Sequence, residues 1–109
     1  MRYEAFTKKL LEAVLNTPGD SKSTLRRAVL ERGKMPGQRS RDEMPAALGT
    51  YIDKVARHAY KVTDEDVATL KRAGHSDDAL FELTVAAAVG AALHRLERGM
   101  AAVRGEASD

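Results

Sequence analysis

Apolar residues recur along this 109-residue chain at intervals of three and four, and no stretch alternates as a strand would. From Arg2 to Asn16, the residues Phe6, Leu10, Ala13 and Val14, with Leu11 beside them, share one helical face. Thr17-Pro18-Gly19-Asp20 stops that helix, because proline cannot continue the hydrogen-bond ladder and glycine tolerates the turn. Asp20 or Ser21 is placed to cap a second helix, with Leu25, Ala28 and Val29 as its apolar face and Gly33 as its end. Residues 34–43 (KMPGQRSRDE) have the composition of an exposed loop. Pro45 suits the first turn of a third helix, whose stripe is Leu48, Ile52, Val55, Ala56 and Ala59. Thr63 is a good N-cap. Asp64, Glu65 and Asp66 put negative charge on the positive end of a fourth helix, and Val62 and Val67 are spaced as a hydrophobic staple. Gly74 ends that helix as a left-handed residue. Ser76 then caps a fifth, running from Asp77 to Val103 before a fraying tail at 104–109. The pattern predicts a single all-α domain over residues 1–109, of about five helices.

The last helix differs from the others. Its centre reads TVAAAVGAAL, with small residues on nearly every side and no polar face. Such a helix needs neighbours all round, and a chain of this length has few to offer. Part of this surface is therefore expected to be covered by a second copy, through Ala86, Ala87, Gly90, Ala91 and His94. The expected assembly is a homo-oligomer.

Composition narrows the chemistry. The chain has no cysteine, which excludes disulfides, thiolate metal sites and thiol catalysis. The longest apolar run, Leu83 to Leu93, falls short of the ~17–25 residues of a bilayer span. The N-terminal segment carries Glu4, Lys8, Lys9 and Glu12 where a signal peptide would be apolar. A cytoplasmic protein with no membrane partner is expected. Residues 1–44 carry ten Lys/Arg against six Asp/Glu, and residues 45–109 carry eight against ten. The basic stretch 22–41 includes Arg26, Arg27, Arg32, Lys34, Arg39 and Arg41, with one acid, Glu31. It suggests a weak polyanion footprint, but no aromatic residue is interleaved for base stacking, so a solvated basic face is favoured and nucleic acid is not the expected partner.

The run from Tyr51 to Gly99 contains "VTDEDVATLKRAG", then "SDDALFEL", then an alanine-rich helix ending "RLERG". It resembles the alkylhydroperoxidase D-like, or carboxymuconolactone decarboxylase, family, over roughly the last half of the chain. The resemblance implies an all-helical fold and assembly into dimers, trimers or hexamers. The family's peroxidases use a C-x-x-C pair followed by a histidine. Tyr51, Lys54 and His58 stand at that spacing in one register, so only His58 could be carried over. Neither tyrosine nor lysine cycles through a disulfide, and this chain is not a thiol peroxidase. The decarboxylase branch does not depend on the thiol pair, so the resemblance leaves acid/base chemistry open.

For such chemistry the candidates are His58, Tyr60 and Glu82, with His94, at the end of the apolar run, most simply the polar edge of an interface. His58 lies near the apolar stripe of the third helix, and histidine suits proton transfer near neutral pH. Glu82 sits among Ala79, Leu80, Phe81 and Leu83 and must be paired or hydrogen-bonded if buried. The bland alternatives are a structural histidine and a salt-bridged glutamate. His58, His75 and His94 are scattered with no i, i+4 pair, so no metal site is expected. Gly33-Lys34-Met35-Pro36-Gly37 lacks the spacing of a phosphate loop, so no cofactor is expected either. Three readings follow. The first is a non-redox, oligomeric binding or accessory protein. The second is an acid/base enzyme on a small carboxylate. The third is a weak polyanion binder.

Overall fold

The computed structural model describes residues 2–36 and 44–105. Arg39, Arg41, most of the loop expected at 34–43 and most of the tail expected at 104–109 lie outside the described residues. Those described form five helices: α1 (Arg2–Asn16), α2 (Ser23–Lys34), α3 (Ala46–His58), α4 (Asp64–Arg72) and α5 (Asp77–Val103). A 3-10 turn, Ala59–Lys61, follows α3 and takes Ala59 out of the expected apolar stripe.

The caps of the last two helices form as their residues require. Thr63 Oγ1 accepts from the Asp66 backbone N–H at 3.2 Å, and the Asp66 carboxylate accepts from the Thr63 N–H at 2.9 Å. That reciprocal box starts α4. Lys54 donates to both carboxylate oxygens of Asp66 at 3.0 and 2.8 Å, tying α3 to α4. This pairing, with the Thr63 bonds, lowers the Asp66 pKa. Val62 and Val67 both pack on the core. Gly74 has φ +107, and Ser76 Oγ accepts from Ala79 N–H at 3.1 Å. Thr63→Ala should cost about 1 kcal/mol of stability, visible as a lower urea midpoint with an unchanged slope.

The core lies where α2, α3 and α5 meet, with Val29, Leu30, Leu48, Ile52, Leu70 and Leu83 essentially inaccessible. The most extensive contact is between α2 and α5. There the small residues act: a Cβ on Gly90 would fall on the Leu30 carbonyl oxygen, and one on Gly33 would fall on the Ala87 carbonyl oxygen. Two expectations are corrected here. Gly33 lies inside α2 rather than ending it, because it admits the α5 backbone. Ala86, Ala87, Gly90 and Ala91, expected between copies, are buried inside this chain, Ala87 and Gly90 against α2, while His94 is exposed. The close approach that small residues permit is thus used within the chain.

Further corrections concern α1 and the start of α2. Phe6, on the shared apolar face of α1, is largely exposed. No side chain caps α2 at Lys22, and Asp20 and Ser21 bind elsewhere. By length and composition α5 could cross a membrane, and 44% of its most apolar 18-residue stretch is buried inside the fold.

Candidate functional site

An open cleft of about 690 Å³ lies where the C-terminal ends of α2 and α3 meet the flank of α5. Gly33, Lys34, Met35 and Pro36 form one wall, Ala56, Arg57 and His58 the second, and Ala91, His94 and Arg95 the third. The position of each cation follows from the fold. Unsatisfied carbonyls at helix C-termini attract guanidinium groups. Arg95 Nη2 accordingly donates to the Ala56 carbonyl in the last turn of α3 at 3.0 Å, and Arg57 Nη2 donates to the carbonyl of Pro36, just beyond α2, at 2.7 Å. Each guanidinium has five N–H donors, so one such bond leaves most of its capacity for a ligand. Lys34 lies 3.9 Å from Glu97 at the rim.

The balance of charge in the cleft is positive. No carboxylate is among its described lining residues. The C-terminal ends of α2 and α3 each bring about half a negative elementary charge, and Glu97 adds one beside Lys34. Lys34, Arg57 and Arg95 outweigh that sum before either imidazole is counted. Among the described residues, no group of three or more His, Cys, Asp or Glu could hold a metal ion.

The expected catalytic trio is not brought together. His58 lines the cleft. Tyr60 stacks edge-on against it at 5.8 Å between ring centroids, but stands 81% exposed with Lys61 over its ring. Glu82 lies twelve residues before His94 on α5, which is about 18 Å along the helix axis. Its carboxylate accepts from the Asp20 N–H at 2.8 Å, the Ser21 N–H at 2.7 Å and the Ser21 hydroxyl. These bonds, the Ser21 hydroxyl foremost, lower its pKa, with help from the charge of Arg26. Glu82 therefore closes the α1–α2 connection. Gly19 is part of that device, since a Cβ there would meet the Glu82 carboxylate at 2.6 Å.

The basic stretch is also broken up. Arg26 is only 6% exposed and donates to the Val14 carbonyl at 2.9 Å. Arg32 makes a two-bond ion pair with Asp53 at 2.9 and 3.0 Å. Arg27 is exposed and Lys34 belongs to the cleft. A continuous polyanion face over Arg26, Arg27, Arg32 and Lys34 is not formed, because two of its four members are drawn into the fold.

Sequence reasoning missed Arg57 and Arg95 as site residues. A signal was present: Arg57-His58 and His94-Arg95 are basic doublets, each closing an apolar helical run. Comparison with known proteins finds no matching family model, curated protein or solved structure. The resemblance drawn above rests on the quoted residues alone.

Proposed function

We propose that the protein is a non-redox binding module that takes a small anion, of the carboxylate or phosphate class, in the cleft between α2, α3 and α5. The observation that carries this reading is the convergence of Lys34, Arg57, His58, His94 and Arg95 on one open cavity with no carboxylate among its described lining residues. Guanidinium groups match the oxygen geometry of carboxylate and phosphate, and imidazoles can donate or accept beside them. In this reading the chain is a cysteine-free relative of the alkylhydroperoxidase D-like family, with binding kept where redox chemistry is lost.

Calorimetric titration with citrate and with inorganic phosphate tests it. Saturable binding that weakens as salt rises is expected. His94 is exposed, so His94→Glu should leave the fold intact and weaken the ligand about tenfold or more by placing a like charge in the cleft. No heat with either anion, or equal affinity in the variant, would refute the reading.

The acid/base reading keeps one supporting observation, that two imidazoles, His58 and His94, share the cleft. It requires turnover of a small carboxylate that His58→Ala abolishes while the helical fold persists.

A further inference from the structure

The buried residues of α5 account for only one side of it. On the opposite side Phe81, Val85, Ala88, Ala92, Leu96, Gly99 and Val103 follow one another at three- and four-residue steps. They form a stripe about 33 Å long. Phe81 is 70% exposed, Val103 is 78% exposed, and Ala88, Ala92, Leu96 and Gly99 are exposed between them. Seven such positions in line make an apolar surface of the kind that marks an interaction site.

We infer that this stripe is the interface of a two-fold homodimer, in which α5 of one copy packs antiparallel on α5 of the other, centred at the level of residue 90. Two pairs of its positions match each other under that operation, while Val85, Leu96 and Val103 fall level with Arg95, Thr84 and Asp77 of the second copy. Phe81 and Gly99 are equally far from the centre, so each Phe81 ring meets Gly99 of the second copy. At Gly99 no heavy atom lies within 4 Å of the position a Cβ would take, so there is room for the ring. Ala88 meets Ala92 of the second copy, which lets the two backbones approach closely at the axis. Charge favours the same direction. Asp77 and Asp78 open α5, and its last third carries Arg95 and Arg98 with Glu97 between them. An antiparallel pair keeps the two acidic starts apart, each level with Ala102 and Val103 of the second copy, and opposes the two helix dipoles. A parallel pair would put like charges together. This is the surface a chain-length argument demands once α2 is seen to cover the other side. Self-complementarity of this kind defines an isologous contact, which closes at two copies.

Sedimentation velocity on the full chain across the micromolar range tests the inference. A monomer–dimer equilibrium is expected, with Ala92→Glu weakening it at least about a hundredfold, by burying a like charge at the axis, while far-ultraviolet circular dichroism stays unchanged. Ala92 is exposed, so the variant should fold. The chain has no cysteine, so a Phe81→Cys/Gly99→Cys double variant reports the register. Its thiols are about 27 Å apart along one helix and can join only between copies. A disulfide-linked dimer on mild oxidation is expected. A chain that stays monomeric, a dimer indifferent to Ala92→Glu, or one that does not cross-link would each overturn the inference. So would a monomer that floats with phosphatidylcholine vesicles, which would make lipid the occupant of the stripe.

Discussion

Gly90→Ala is expected to lower the melting temperature by about 10–20 °C, a loss of about 2–3 kcal/mol. On helix propensity alone the change should stabilise by about 1 kcal/mol. The tertiary contact decides the sign. A Cβ at Gly90 would fall on the Leu30 carbonyl oxygen, with the Lys34 backbone nitrogen and Leu30 carbonyl carbon also within about van der Waals limits. These are backbone atoms held inside α2, so they cannot swing away as a side chain would. The helices must move apart, loosening Leu30 and Leu83 in the core. Gly90→Leu should be worse still. Gly33 lies on the other side of the same contact, against the Ala87 carbonyl. Gly33→Ala should therefore cost less in the Gly90→Ala background than alone, because the helices are already separated. Differential scanning calorimetry on the two single variants and the double decides it. A raised melting point in Gly90→Ala would mean that the crossing is looser than described.

Glu82→Ala should be the next most damaging change, at about 2 kcal/mol. Hydrogen bonds to a charged acceptor contribute about 1.5–3 kcal/mol each, but this carboxylate is half-buried, and water replaces part of what is lost. The variant also takes the counter-charge from the buried Arg26 and frees the 17–22 connection. The effect depends on pH in a defined direction. In the fold the Glu82 carboxyl is held below the ordinary glutamate value of 4.5, first by the Ser21 hydroxyl and then by the Asp20 and Ser21 amides. Its contribution is therefore whole above the unfolded-chain value, and is lost as pH falls through the lowered native one. Asp66 behaves in the same sense, through Lys54 and Thr63. Urea titrations at neutral and acidic pH should show the wild type and Glu82→Ala converging as the carboxyl is protonated. A gap that stays constant down the pH range would mean that Glu82 acts by packing and not by its charge.

What could be read before the structure was local. Thr63 with Asp66, Gly74, Ser76 and Pro18 act on their own backbone or on residues a few positions away, so their identities announce the boundaries of α1, α4 and α5. The Asp77–Val103 helix follows from its cap and its unbroken apolar run. Gly33 was legible as a glycine but not as a contact, since an end and a crossing call for the same residue. Phe6 shows the same limit, because an apolar face on α1 says nothing of whether a partner is there to cover it.

The candidate site was legible only in fragments. His58 and His94 stood out as ionisable residues near apolar runs, yet they are 36 positions apart, and nothing local pairs them. Glu82 seemed equally eligible until Asp20 and Ser21, more than 60 residues away, claimed its carboxylate. Helical periodicity, caps and the cysteine-free chemistry belong to the order of residues, because they depend on spacing within a turn or on composition. Which small-residue face meets α2, which arginines cap which carbonyls, and which side of α5 stays open depend on packing between distant segments. That packing is decided by backbone approach distances of a few tenths of an ångström, to which a pattern of apolar and polar positions is blind.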